Sequence, residues 1–182
     1  MARAAYPRIR SDFTTASGVL VVTRPTPPPP PAAVGQPPYV PGNPAEGDEI
    51  LLAVWDDGSV TGLNGHVDLG TGLRTSLSQI VAEELDVRVA DVHMVLGCTS
   101  LSPNQGGTFA SASIQTHARP LRIAAAQARR WLVAAASRRL EVSEADIEVV
   151  EGVARSRGGD PNGPSVAYGD LLAGPAVVIS LD

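Results

Sequence analysis

Residues 60–85 read VTGLN, then GHVDLGTG, then LRTSLSQIVAEEL, and this stretch decides the architecture. Val60 to Asn64 reads as the return strand of a hairpin. Asp56-Asp57-Gly58-Ser59 is its turn, and Ile50 to Trp55 is its buried outgoing strand. Leu73, Leu77, Ile80, Val81 and Leu85 recur at helical spacing, so an amphipathic helix follows. Between strand and helix lies a loop of small residues, Gly65 to Gly72.

Working outward, Val92 to Gly97 is a further strand, with Val92, Met94 and Leu96 on one face. A second small-residue loop, Ser102 to Ser113, leads into an Ala-rich helix from about Leu121 to Leu140, with Pro120 in its first turn. Ser143 and Asp146 read as a cap or turn before the strand Ile147 to Val150, and Val153 to Ser156 is placed to pair with it. Val166 to Leu172 is expected to be a short helix and Val177 to Leu181 a last strand. The class is α+β: a mixed sheet covered by two main helices. The sequence stops just after that strand. A fold fragment completed by a partner chain is the expectation, although a truncation would look the same.

Composition narrows the function. Of 182 residues, 43% are hydrophobic and only 4% aromatic, so the core is packed from small aliphatic side chains. A net charge of −5, from 14 basic and 19 acidic residues, argues against a nucleic-acid grip. Arg129, Arg130, Arg138 and Arg139 read as the solvated face of a helix. One cysteine, Cys98, supports no disulfide framework, zinc site or iron–sulfur site within this chain. No apolar run is long enough for a membrane span, and the start, MARAAYPRIRSDF, has no apolar core of a signal peptide. The default compartment is the cytoplasm, with membrane association through partners as the alternative.

Residues 1–47 read as an extended Pro-rich N-terminal arm and residues 48–182 as the compact domain. Pro25-Thr26 and the prolines from 27 to 31 favour polyproline II, and prolines at 37, 38, 41 and 44 keep the chain extended. Within the arm, Gly18 to Thr23 is apolar enough for a strand. A disordered tail and an arm wrapped on a partner both stay open.

The two loops carry the chemistry. Each joins a strand to a helix, where free N–H groups favour anions. Thr71 and Gly72 meet the first helix. Thr108, Ser111 and Ser113 add hydroxyls before the second. Two such loops on one sheet edge suit an extended, phosphate-bearing cofactor, although glycine-rich loops are more often plain turns. Neither the P-loop nor the Rossmann pattern is present.

The run Val67-Asp68-Leu69-Gly70-Thr71-Gly72 through Val87 resembles the xanthine dehydrogenase/aldehyde oxidase family of molybdenum hydroxylases. The branch with nicotinate dehydrogenase and isoquinoline 1-oxidoreductase is the nearest in wording. The run Leu101-Ser102-Pro103-Asn104-Gln105-Gly106-Gly107-Thr108 through Gln115 is the second motif of that family, at the expected distance. The resemblance implies a partial molybdopterin-binding domain. Leu69, Gly70, Thr71 and Gly72 match the loop against the pterin, where many members have glutamine at the position of Thr71. Thr108, Ser111 and Ser113 match hydroxyls that hold the cofactor's phosphates. Phe109 and Ala110 match positions near the metal and substrate pocket, and Gln105, Gly106 and Gly107 shape the loop.

The resemblance further implies molybdopterin cytosine dinucleotide with molybdenum, shared with a second molybdopterin-binding chain. It implies a 2Fe–2S subunit, a cytochrome c or flavin subunit, and an N-heteroaromatic or aldehyde substrate hydroxylated with oxygen from water. The general-base glutamate of relatives lies in a later region, so no catalytic residue is expected here. Cys98 replaces a common aspartate. It is read as a small hydrophobe, because in the family the metal is held by the cofactor's dithiolene. For His66, beside the first loop, ligand contact and a structural role both stay open, whereas His93 and His117 are read as structural or exposed. The competing reading is a non-catalytic cofactor-binding or assembly module that keeps the fold.

Overall fold

The computed structural model describes residues 10–26, 48–160 and 163–181. The prolines from 27 to 31 and at 37, 38, 41 and 44 lie outside the described residues, so the arm reading of that stretch stays an expectation.

A short helix α1 (Arg10–Thr15) precedes β1 (Val19–Arg24), β2 (Glu49–Trp55) and β3 (Val60–Asn64). Then come α2 (Leu73–Leu85), β4 (Val92–Leu96), a four-residue helix α3 (Ala112–Gln115) and the long α4 (Arg119–Leu140). β5 (Ile147–Val150), β6 (Val153–Ser156), β7 (Ser165–Ala167) and β8 (Val177–Ser180) complete the order. The α+β class with a mixed sheet and two main helices is borne out.

There are two sheets among the described residues, where a single one was expected. The larger has the order β4-β3-β2-β1-β8, with β3–β4 and β1–β8 parallel and the inner pairs antiparallel. The smaller is the antiparallel meander β5-β6-β7. Val19–Arg24, assigned by sequence to the segment before residue 48, is paired on both sides inside the larger sheet, and Val19, Leu20, Val21 and Val22 are fully buried.

Side chains alternate across the larger sheet as strand geometry demands. Leu20, Val22, Leu52 and Val54 face α2 and α4, whereas Val19, Val21, Ala53 and Trp55 face Phe13 of α1 and Leu101. A register shift at Val22/Thr23 leaves Leu51 without a partner in β1, and this bulge turns Leu51 to the helical side together with Leu52. Leu121, Ala124, Ala125, Ala128, Leu132 and Ala136 form the buried stripe of α4. This helix touches β1, β2 and β3 on one side and β5, β6 and β7 on the other. Alanines at these points let both sheets approach it closely.

Two local readings are corrected. The expected helix Val166–Leu172 is strand β7 followed by a 3-10 turn at Gly169–Leu172. Ser165–Ala167 is too short to show strand periodicity, and its Val166 packs into the main core. Arg129 is not a purely solvated charge, because Nη2 meets Asp86 Oδ2 at 2.6 Å. Arg130, Arg138 and Arg139 are exposed. Among the described residues no helix is long and apolar enough to cross a membrane.

Candidate cofactor-binding site

The parallel pair β3–β4 brings the loops after both strands to one sheet end, where a set of polar side chains locks them together. Asn64, fully buried at the end of β3, accepts from His66 N at 3.0 Å and donates Nδ2 to His117 O at 3.0 Å. Gln105 reaches across from the second loop. Its Oε1 accepts from Gly65 N at 2.7 Å and its Nε2 donates to the same His117 carbonyl at 3.0 Å. Thr108 Oγ1 accepts from Val67 N at 2.9 Å, and Ser113 Oγ lies 2.6 Å from His66 Nδ1. The backbones touch: a Cβ at Gly65 would fall 2.3 Å from Pro103 O, so only glycine fits there.

Glu49 fixes the second loop from the opposite side. This carboxylate, 2% exposed, accepts Asn104 N at 2.9 Å and pairs with Arg24 Nε at 2.7 Å. No sequence signal marked Glu49, which follows Asp48 and opens the apolar strand β2.

Asp68 already occupies three N–H groups at the approach to α2. Asp68 Oδ1 accepts from Gly70 N at 3.0 Å and Thr71 N at 2.9 Å, and Oδ2 accepts from Arg74 N at 3.0 Å. The Arg74 N–H is the largest cause holding the Asp68 carboxyl below its usual range, with help from Gly70 and Thr71 against some desolvation. The second loop enters the four-residue α3 and not the N-terminus of α4, which begins at Arg119. The hydroxyls of the second loop therefore stand before or within α3 and not at the start of the long helix. An Asp three residues before a Thr-Gly pair is an Asx-type signal that was legible in the sequence.

The loops enclose an open groove of 390 Å³ lined by Val67, Leu69, Thr71, Leu73, Ser76, Thr108, Phe109, Ala110, Ser111, Ser113 and Ile114. Seven of these, Leu69, Thr71, Thr108, Phe109, Ala110, Ser111 and Ser113, are residues singled out from sequence. Gly70 and Gly72 flank the groove with positive φ and nothing within 4 Å of where a Cβ would stand. Gln105 points instead at Gly65 and His117, and neither Gly106 nor Gly107 lines the groove. Leu69 and Phe109 are 78% and 72% exposed, far more than isolated apolar side chains of a finished surface need. Ala110 and Ser111 adopt left-handed backbone at φ 55 and 54, a strain that collects at binding loops.

Behind the groove the ring centroids of His66 and His117 stand 4.4 Å apart. Burial first, and then the neighbouring His66 and Arg24, push the His117 imidazole below its ordinary value. Cys98 is half-buried, with Sγ 3.3 Å from Ser100 Oγ. Among the described residues no group of three or more His, Cys, Asp or Glu is placed to hold a metal ion.

The mixed-sheet domain thus presents hydroxyls, open backbone and bare apolar surface together at the ends of two parallel strands. The chain belongs to the molybdopterin cofactor-binding domain family, which it matches over residues 14–177.

It is 46% identical over 166 residues to a nicotinate dehydrogenase polypeptide of Pseudomonas putida, covering 91% of this chain and 13% of that protein. It is 36% identical over 160 residues to the beta chain of isoquinoline 1-oxidoreductase from Brevundimonas diminuta, covering 78% of this chain and 20% of that one. The chain thus spans a fifth or less of these relatives. Among solved structures, reconstituted CO dehydrogenase from Oligotropha carboxidovorans shares the fold with a TM-score of 0.58 at 23% identity, over 85% of this chain and 18% of that one. The resemblance drawn from the two loop motifs is borne out.

Proposed function

We propose that this chain forms one wall of a molybdopterin cytosine dinucleotide site in a multi-subunit molybdenum hydroxylase acting on an N-heteroaromatic or aldehyde substrate. The observation that carries the reading is the groove. The hydroxyl residues Thr71, Thr108, Ser111 and Ser113 stand beside exposed Leu69 and Phe109, with no carboxylate among the lining residues. That donor set fits a flat ring with a phosphate tail, since hydroxyls donate to phosphate oxygens and a carboxylate would repel them. When bound, the cofactor supplies the oxygen-transfer and redox chemistry.

The residues of this chain bind and orient. Ser111 and Ser113 donate toward phosphate, and Thr108 does so while its oxygen holds Val67 N. Thr71, with a shorter reach than a glutamine, donates its hydroxyl to Asp68 Oδ1 at 3.3 Å, a long bond it exchanges for one to the cofactor. Leu69, Phe109 and Ala110 exclude water from the ring. The general-base glutamate comes from a second molybdopterin-binding chain. A 2Fe–2S subunit, with a cytochrome c or flavin subunit beyond it, takes the electrons. The compartment is the cytoplasm.

The test is the molybdenum, pterin and cytosine nucleotide content of the complex purified through a tag on this chain. Near-stoichiometric content is expected, and it should fall by on the order of tenfold or more in the variant Thr71→Val with Ser111→Ala, because hydrogen bonds to charged acceptors are lost. A complex free of pterin would favour a non-catalytic assembly module instead.

A further inference from the structure

His66, behind the groove, is fully enclosed at 0% exposure, as Asn64 is, and no step above uses it. Its backbone N–H is satisfied by Asn64 and its ring lies against His117. Nδ1 lies 2.6 Å from Ser113 Oγ, whereas Nε2 is buried with no hydrogen-bond partner among the described residues. A neutral imidazole carries one N–H and one bare nitrogen, so the two sites have different needs. With the proton on Nε2, a buried N–H is orphaned, which folded proteins rarely tolerate. With the proton on Nδ1, the orphan is a bare acceptor, the milder fault, and the N–H donates to Ser113 Oγ.

That choice decides what Ser113 offers. Its oxygen then accepts from His66, and its own proton is left for the groove that Ser113 lines. In the other tautomer Ser113 spends its proton on His66 and turns lone pairs toward the groove, which repel an anion. We infer that His66 is a positioning residue that fixes Ser113 as a hydrogen-bond donor toward an anionic group in the groove; this rests on the phosphate-binding reading above. The His117 ring packs on the His66 ring, centroids 4.4 Å apart, and helps enclose it.

The test uses the purified holo-complex and reads the rate at which pterin and cytosine nucleotide are lost on dilution, with thermal melting as a check on assembly. The amide of His66→Asn places a donor where Nδ1 stood. The carboxylate of nearly identical shape in His66→Asp is an acceptor and draws the Ser113 proton back. The Asn variant is expected to hold cofactor within a few-fold of wild type, and the Asp variant to lose it on the order of tenfold faster or more. In a Ser113→Ala background the difference between Asn and Asp should collapse, which a merely structural role of His66 would not produce.

Equal loss rates for the two variants, or a difference that persists without Ser113, overturn the inference. If instead Ser111→Ala, Ser113→Ala and Thr71→Val all leave cofactor content unchanged, the phosphate-binding reading itself falls. Should the Asp variant fail to assemble, nitrogen-15 spectra of histidine-labelled wild-type complex decide, with the His66 signal assigned by its absence from the Asn variant. A proton on Nδ1 is expected, and one on Nε2 overturns the proposal.

Discussion

Asp68 and Glu49 are two acids that never enter the groove yet determine where its walls stand. Asp68 gathers three backbone N–H groups, and its carboxyl is held below the ordinary range chiefly by the Arg74 amide. A group whose folded value is lowered stabilises fully above the ordinary carboxylate value of about 3.9 and loses that contribution as pH falls through the lowered one. The Leu69–Gly72 loop should therefore keep its order down to about pH 4. The amide resonances of Gly70, Thr71 and Arg74 should shift together only below that point, and Asp68→Asn should move this transition or erase it. Glu49 is a different case, because its carboxylate and Arg24 are both largely withdrawn from solvent. Glu49→Ala leaves a charge and the Asn104 N–H unpaired, at a cost of about 3–5 kcal/mol. Glu49→Gln keeps an acceptor for Asn104 and should cost less. Denaturant melts of the two variants check the order, and a Gln variant as unstable as Ala would refute the role given to Asn104.

At the level of elements, what was legible followed from how far each signal repeats. α2 was legible because five apolar residues from Leu73 to Leu85 keep helical phase after a glycine loop. The hairpin β2–β3 was legible because Asp57 and Gly58 mark the turn, and Asp57 Oδ1 accepts Ser59 N at 3.0 Å. β7 was misread because a strand of three residues has no period to show. The division into two sheets was hidden because both lean on one helix, and an alanine stripe does not say how many partners it has. The groove residues were legible as two motifs. Their ties, Asn64, Gln105 and His66, depend on β3 lying beside β4, which is long-range information. α4 yields the prediction proper to this scale: Ala128 is fully buried on the stripe that sits between the sheets. Ala128→Leu should overpack it, costing about 1–3 kcal/mol. The melting temperature should drop by about 2–4 °C for each kcal/mol. An unchanged melting temperature would mean that the sheets do not close on the helix there.

Across the whole molecule the groove is a one-sided feature. Its lining comes from two loops on one sheet end, and Leu69 and Phe109 project with most of their surface bare. Tight small-molecule sites bury roughly 70–90% of their ligand. A wall of 390 Å³ open along its length does not do that for a dinucleotide-tailed pterin. On the proposed reading, the binding free energy is divided between this chain and surfaces that face it, with the hydroxyls here supplying orientation and only part of the affinity. It follows that these 182 residues, produced without partners, should fold but retain no pterin, whereas the same residues within the assembled complex should hold it. Oxidation and fluorescence detection of released pterin in the two preparations decides the matter. A full equivalent of pterin on the isolated chain would mean that the groove closes without help and that the site is not shared.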